Sequence, residues 1–202
     1  LHAQGDYKRT PASVGRPLPG VEARLVDAET PGDLLSPQDA EGGGLLQIRG
    51  ASVFKEYWRN EEATAAEFDQ NGWFKTGDVA QLDSRTGAYK ILGRASVDII
   101  KSGGYKISAF DVERVLLEHP SVRECAVLGV DDEVYGQKVG AVVVWNGGKN
   151  ESLKELRGWL RDRLAKYKQP SLLRSVSQIT RNAMGKINKK NLLVEVGGEW
   201  EQ

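Results

Sequence analysis

An uninterrupted apolar run at residues 139–145 is the feature that most constrains how this chain folds. It reads Val-Gly-Ala-Val-Val-Val-Trp, without one polar or charged position. A strand with no polar face must be covered on both faces, as the strands inside layered sheets are. The run is far shorter than the roughly 20 apolar residues that a membrane-spanning helix needs. It therefore predicts a strand between two packed layers, in a chain without a membrane span.

The residues around this strand alternate between helical and strand patterns. Ser108, with Asp111 three positions later, predicts a helix start, and an apolar stripe continues the helix to Pro120. Further strands are predicted at 124–130 and 172–179, with a helix over 151–166 and a terminal helix near 189–193. This order of elements predicts a small α+β domain of about 100 residues.

The first half of the chain is predicted to be mostly β. Residues 21–26 alternate between apolar and polar side chains as a half-buried strand does, and 45–49 form a second strand. A short helix over 60–68, capped by Asn60, is followed by short strands at 79–82, 89–92, 99–101 and 105–107. We place the boundary between the two halves near residues 93–98.

The charge balance and the metal-ligand content exclude several classes of function. Lys plus Arg and Asp plus Glu both count 28, so no net field favours nucleic acid or a membrane surface. The single cysteine, Cys125, lies in an apolar run and is predicted to be a reduced, buried thiol. One cysteine and two histidines also exclude a Cys/His zinc site. Because residue 1 is Leu and the only methionine is Met184, we expect a piece of a longer protein.

Three segments combine glycine with a charged residue. In Gly77-Asp78, local chemistry favours a turn, and the functional alternative is a carboxylate that accepts bonds from the vicinal hydroxyls of a ribose. Gly103-Gly104 predicts a two-residue hairpin turn, which can also present backbone N–H groups to a phosphate or a pantetheine amide. In Gly185-Lys186, the alternatives are a solvated surface lysine and a cation that moves onto a phosphate.

The order and spacing of these segments resemble the adenylate-forming superfamily of acyl-CoA synthetases, luciferases and peptide-synthetase adenylation domains. The resemblance runs nearly end to end, from residues 14–20 (Val-Gly-Arg-Pro-Leu-Pro-Gly) to Asn188-Lys189-Lys190. More narrowly, residues 98–108 (Asp-Ile-Ile-Lys-Ser-Gly-Gly-Tyr-Lys-Ile-Ser) and 181–187 (Arg-Asn-Ala-Met-Gly-Lys-Ile) resemble malonyl-CoA synthetases. Within these, the resemblance is to the mitochondrial acyl-CoA synthetase family member 3 group.

The resemblance implies two half-reactions, in which ATP and a carboxylate form an acyl-adenylate and the thiol of CoA then displaces AMP. Asp78 matches the family aspartate that binds the ribose hydroxyls, and Arg94 matches an arginine that contacts the nucleotide. Lys186 matches the catalytic lysine that stabilises charge at the adenylate-forming centre. The loop that approaches CoA would contain Gly103, Gly104 and Lys106.

The resemblance also implies an arrangement of domains. Residues 1–94 would be the last, β-rich subdomain of a larger N-terminal domain, and 95–202 a small α+β lid domain that rotates on a hinge. The hinge is expected at Ala95 and Ser96. Asp98 is a rival, because the family's hinge residue is often Asp or Lys and this sequence has one extra residue between Arg94 and Gly104. ATP, CoA and Mg²⁺ are implied, with most ATP and acid contacts upstream, so the chain alone is expected to be inactive.

Other functions stay open at this stage. One is a ligase for another short- or medium-chain acid, or a peptide-synthetase adenylation domain. Another is a truncated, non-catalytic protein that binds a partner or AMP. The retention of Asp78, Arg94 and Lys186 favours the enzyme, because nothing structural requires all three together. The expected partners are small-molecule substrates, with no nucleic acid and no prediction of oligomeric state, and the subgroup alone implies the mitochondrial matrix.

Overall fold

The computed structural model describes residues 13–30, 32–36, 38–147 and 150–202. The chain divides into two compact units, Leu1–Ala95 and Ser96–Gln202, which we call the N-terminal unit and the C-terminal unit. In the described ranges, no helix is both long enough and apolar enough to cross a membrane.

The N-terminal unit is built on a four-stranded antiparallel sheet. Its strands pair in chain order: β1 (Val21–Val26), β2 (Gly44–Gly50), β3 (Phe74–Asp83) and β4 (Ala88–Arg94). Leu25, Ala40 and Ala80 are the buried centre of its core. The predicted β-rich character of the first half is confirmed.

A short helix, α1 (Glu61–Glu67), precedes β3. The Asn60 side chain accepts a hydrogen bond from the backbone N–H of Ala63, as predicted for an N-cap, and Glu61 and Glu62 follow in the first turn. No residue of α1 is buried, so its caps and first-turn charges, rather than burial of an apolar face, define the helix.

In the part of the chain that the structure describes, the C-terminal unit combines one sheet with three α-helices and a short 3-10 helix (Lys166–Lys168). The sheet order is β6-β5-β8-β7, with β9 paired to β8; all pairs are antiparallel except β8–β9. The strands are β5 (Ile99–Ser102), β6 (Tyr105–Ser108), β7 (Val122–Asp132), β8 (Gly136–Trp145) and β9 (Leu172–Ser175). The helices are α2 (Ala109–Leu116), α3 (Leu153–Leu160) and α4 (Lys189–Val196). The predicted α+β class is confirmed.

The central strand β8 is covered on both faces, as its apolar run predicts. Alternate residues such as Ala141 and Val143 lie in a core with α2 and α3, to which Leu116 and Leu156 contribute. The intervening residues Val142 and Val144 lie in a second core with α4 and the chain's C-terminal segment. Every residue from Val139 to Trp145 is buried.

Several predicted boundaries were wrong. The helix predicted over 151–166 is limited to α3, because Ser152 and Glu155 form a capping box at its start and Leu164 turns back to the core after its end. The helix predicted to reach Pro120 ends at Leu116. The last strand ends at Ser175 rather than at 179, and α4 extends to Val196 rather than 193.

Cys125 is a free, buried thiol, as predicted. Its Sγ lies 3.6 Å from the backbone oxygen of Glu113. Burial raises the pKa of the Cys125 thiol to about 12, and the nearby Glu113 carboxylate adds to the rise. The thiol therefore stays protonated at neutral pH.

We expect the native thiol to resist alkylation. Because only the thiolate reacts, iodoacetamide at pH 8 should label Cys125 on the order of 1000-fold more slowly than an ordinary thiol, and completely in guanidinium chloride. Mass spectrometry measures this cleanly because the chain has one cysteine. Rapid labelling of the folded chain would contradict the buried thiol.

The raised pKa of the Cys125 thiol also makes the stability of the fold depend on pH. The stabilisation from the protonated thiol is complete below the unfolded pKa of about 8.5 and is lost as the pH rises towards 12.

Candidate functional site

Asp78 and Arg94 face each other on neighbouring strands of the N-terminal unit. Their Cα atoms are register partners in the β3–β4 pair, and Arg94 Nε lies 3.1 Å from Asp78 Oδ1. Arg94 Nη1 also donates to the backbone oxygen of Thr76, at 2.7 Å. The two side chains are 29% and 60% exposed, respectively, so a carboxylate and a guanidinium lie side by side at the surface.

Gly77-Asp78 is not the turn that local chemistry favours. The pair lies inside β3, close to a register shift of the β3–β4 ladder between Val79 and Ala80. Gly77 has a φ of +75°, and a Cβ atom there would lie 2.8 Å from Arg94 Nη1. The backbone conformation favours glycine, and a Cβ here would force the end of the Arg94 side chain to move. Because Asp78 and Arg94 are directly opposite in the β3–β4 pair, their side chains lie on the same face of the sheet.

The Gly103-Gly104 pair forms the predicted two-residue turn between β5 and β6. Ser102 and Tyr105 are register partners on either side of it, and both glycines have positive φ, as hairpin turns of type I′ require. Gly104 is exposed, and a Cβ atom there would meet nothing within 4 Å. Lys106 is exposed on β6, opposite Lys101.

The β7–β8 hairpin supports this glycine turn from within the C-terminal unit. The N–H of Gly103 donates to the backbone oxygen of Tyr135 at 3.0 Å, and the N–H of Lys101 donates to Gln137 Oε1 at 2.9 Å. The expectation that the turn's N–H groups are available to a ligand is therefore wrong for Gly103. The open space lies at Gly104.

Lys186 ends a loop that is closed by its own hydrogen bonds. Asn182 Oδ1 accepts from the N–H groups of Met184 and Lys186, at 3.0 and 2.9 Å, and the N–H of Asn182 donates to the Lys186 oxygen. Arg181 donates to the Gly185 oxygen and pairs with Glu124 of β7 at 3.2 Å. The loop thus holds the Lys186 backbone while its side chain is exposed.

The two units meet in sequence at the predicted hinge. The N–H of Ala95 donates to the Gly77 oxygen in the N-terminal unit, and Ser96 is the first residue of the C-terminal unit. Asp98 is only 4% exposed and pairs with Lys189 at 2.6 Å. Asp98 is therefore anchored inside the C-terminal unit, whereas the hinge at Ala95 and Ser96 stays a prediction.

Sequence reasoning missed two sets of supporting residues. The first is the buried charge cluster of Asp98, Glu113 and Lys189. The second is the set of contacts around the loops, made by Tyr135, Gln137 and Asn182. Asp98 and Lys189 lie inside segments that carry the family resemblance, but pairing across 91 positions of sequence leaves no local signal.

Each unit by itself presents groups whose chemistry suits part of a nucleotide. The N-terminal unit presents a carboxylate beside a guanidinium, and the C-terminal unit presents an exposed lysine and an open glycine turn. A carboxylate suits vicinal hydroxyls, and a lysine suits phosphate charge. Within the described ranges, no group of three or more His, Cys, Asp or Glu side chains could hold a metal ion.

Comparison with known protein families and sequences agrees with this chemistry. A model of the AMP-binding enzyme C-terminal domain matches residues 111–186. The chain is 50% identical over 201 residues to the mitochondrial malonate–CoA ligase ACSF3 of Bos taurus, in an alignment covering 92% of this chain and 34% of that protein.

Solved structures give the same result. ATP-bound MatB from Rhodopseudomonas palustris is 40% identical with a TM-score of 0.78, covering 94% of this chain and 36% of that one. The o-succinylbenzoate CoA synthetase MenE from Bacillus subtilis, in complex with its acyl-adenylate intermediate, has a TM-score of 0.82 at 34% identity. That match covers 97% of this chain and 38% of MenE. The chain thus spans about a third of the length of the relatives it matches.

Proposed function

We propose, since the chain belongs to the adenylate-forming superfamily, that it is the C-terminal part of an AMP-forming malonate–CoA ligase. The complete reaction would convert malonate, ATP and CoA to malonyl-CoA, AMP and pyrophosphate through malonyl-adenylate. The observation that carries the proposal is the 50% identity to a malonate–CoA ligase along 92% of this chain. Residues 1–94 would be the last subdomain of a larger N-terminal domain, and residues 95–202 would form the lid domain.

Asp78 and Arg94 are proposed to hold the nucleotide. The Asp78 carboxylate would accept hydrogen bonds from the two ribose hydroxyls, as carboxylates do in other nucleotide sites. Arg94, paired with Asp78 at 3.1 Å, would orient that carboxylate and contact the nucleotide itself. Their adjacency on β3 and β4 supports a shared role.

Lys186 is proposed as the catalytic cation of the first half-reaction. Attack of a carboxylate on a polyphosphate brings two anions together, so a positioned positive charge lowers the barrier. The Lys186 side chain is exposed and so has the freedom to reach a phosphate, while Asn182 holds the Lys186 backbone in a fixed position.

The glycine turn is proposed to admit CoA in the second half-reaction. The open space at Gly104 would face the pantetheine arm, and Lys106 on the neighbouring strand would add positive charge for the CoA phosphates. The two half-reactions need different groups, so we propose that the lid rotates about Ala95 and Ser96 between them.

The proposed cofactors are ATP and CoA as substrates, together with Mg²⁺. Mg²⁺ would accompany ATP, whose phosphates supply several of its ligands, and its protein contacts are expected mainly upstream of this chain. The mitochondrial name of the Bos taurus relative supports a mitochondrial location for the whole protein.

The test uses the full-length protein that carries this chain, which we call the full-length enzyme. It is incubated with ATP, Mg²⁺, CoA and, separately, malonate, methylmalonate, acetate, octanoate or o-succinylbenzoate, and AMP and acyl-CoA are quantified. We expect malonyl-CoA from malonate, and none from the 202-residue chain alone. Turnover of another acid would keep the mechanism and reject malonate. No AMP with any acid would favour a non-catalytic protein.

A change at Gly77 should separate backbone strain from nucleotide binding. Gly77→Ala and Gly87→Ala each place alanine at a positive φ and should destabilise the N-terminal unit by about 1 kcal/mol. Only at Gly77 does the new Cβ meet Arg94; at Gly87 the nearest atom lies at an ordinary 3.6 Å. Gly77→Ala should therefore raise the KM for ATP of the full-length enzyme about 10-fold, the effect of one lost charged hydrogen bond. Equal KM values in the two variants would remove Arg94 from the nucleotide site.

A further inference from the structure

A buried cluster of three charges lies in the C-terminal unit, apart from the groups proposed to touch substrates. Lys189 Nζ lies 2.6 Å from Asp98 Oδ1 and 2.8 Å from Glu113 Oε1, and the Lys189 side chain is only 10% exposed. The ring of Phe110 covers the ammonium, with its centroid 5.0 Å from Nζ. One lysine thus bridges two carboxylates away from water.

The cluster joins three segments that are distant in sequence. Asp98 lies two residues after Ser96, and its backbone oxygen accepts from the N–H of Ala109 at the start of α2. Glu113 lies on α2, where Oε1 also accepts from the N–H of Val127 in β7, at 2.8 Å. Lys189 is the first residue of α4, three positions after Lys186. The end of the proposed hinge and the catalytic loop are therefore fastened to the same point.

A buried ion cluster is a poor source of stability by itself, because desolvation offsets most of the attraction between the charges. Its physical advantage is geometric, since each charge must stay beside its partners. With Lys189 held in this way, the start of α4, three residues after Lys186, cannot shift without separating buried charges. The other end of the loop is closed by the hydrogen bonds between Asn182 and Lys186.

We propose that Lys189 is a positioning residue for Lys186, acting through its bridge between Asp98 and Glu113. The bridge makes the hinge end, α2 and the catalytic loop one rigid body, so that lid movement delivers Lys186 in a fixed position. This proposal rests on the proposed function for the role of Lys186, but the position of the loop can be measured without any activity.

The first experiment compares Lys189→Met with Lys190→Met in the full-length enzyme. Lys190 is the adjacent, exposed lysine, so it provides a matched control. Malonate-dependent ATP–pyrophosphate exchange measures adenylate formation, and supplied malonyl-adenylate with CoA measures thioester formation. Lys189→Met should lower the kcat for exchange roughly 10- to 100-fold, as misplacement of a catalytic group does, with little change in the KM for ATP. Thioester formation should stay within about twofold, a negligible difference in barrier.

Two further variants keep the proposal falsifiable if Lys189→Met folds poorly. Lys189→Arg keeps the positive charge and should restore ATP–pyrophosphate exchange. Glu113→Gln keeps an oxygen that accepts from the N–H of Val127 but weakens the ionic bridge to Lys189. An equal fall of both half-reactions in Lys189→Met would indicate a merely structural role and overturn the proposal. So would unchanged exchange in a folded Lys189→Met variant.

Amide hydrogen–deuterium exchange in the full-length enzyme separates this proposal from the proposed function. The amides of Met184, Gly185 and Lys186 are hydrogen-bonded within the loop and report its order. They should exchange faster in Lys189→Met than in Lys190→Met, whatever the enzyme catalyses. If the wild-type enzyme forms no adenylate, but the loop amides still exchange hydrogen faster in Lys189→Met than in Lys190→Met, the proposed function is rejected and the positioning contact is kept. Unchanged loop exchange would reject the positioning role.

Discussion

Replacing Lys186 by alanine should slow malonyl-adenylate formation in the full-length enzyme by roughly 100-fold or more, as loss of one transition-state charge partner does. The substitution removes the exposed ammonium and its aliphatic stem, and it leaves the loop in place because backbone and Asn182 contacts hold it. Folding should be unaffected. Thioester formation from supplied malonyl-adenylate and CoA should change little, since the acyl–phosphate bond has by then formed and pyrophosphate has already left.

Lys190→Ala is the control for this substitution. It removes the same charge four residues away, from another exposed position, and should leave both half-reactions within about twofold. ATP–pyrophosphate exchange and single-turnover thioester formation are measured on all three proteins. If Lys186→Ala slows both half-reactions equally, or if Lys190→Ala matches it, Lys186 does not have the proposed catalytic role.

Gly104→Leu should impair the second half-reaction rather than the first. We expect it to slow thioester formation roughly 100-fold or more. A Cβ at Gly104 meets no atom within 4 Å, so the leucine side chain would project into the open space proposed for the pantetheine arm. Adenylate formation does not require that space, so ATP–pyrophosphate exchange should persist near the wild-type rate.

The positive φ of Gly104 makes a control for backbone strain necessary. Gly147→Leu places the same side chain at a positive φ, also with nothing within 4 Å, in the turn after β8. Both variants should lose similar thermal stability, about 1–2 kcal/mol each. An unchanged thioester step in Gly104→Leu, or an equal loss in Gly147→Leu, would remove the glycine turn from the CoA site.

Elements with a strong local signal were predictable from sequence. The alternation at 21–26 matches β1 at both ends, and the Gly103-Gly104 turn has the predicted register. Asn60 and Ser108 cap their helices through hydrogen bonds to the third following residue. In each case the deciding interaction lies within a few residues, so the sequence contains it directly.

Element ends were less predictable where packing decides them. The 151–166 stripe continues past Leu160, yet the chain leaves the helix there and Leu164 packs against the core. The start of β3 was placed too late, because Gly77 interrupts the strand pattern although the ladder continues through it. A helical period or a glycine signals local preference, whereas contacts from distant strands determine the actual boundary.

Local patterns in the sequence predicted the α+β class and the doubly covered strand β8, and the family resemblance pointed to Asp78, Arg94, Lys186 and the glycine turn as candidate site residues. How these groups are held became visible in the fold. The Asp78–Arg94 pair, the Tyr135 contact to Gly103 and the Lys189 bridge each join residues between 16 and 91 positions apart. Such pairs depend on the path of the whole chain, because charges and hydrogen bonds act through space at about 3 Å.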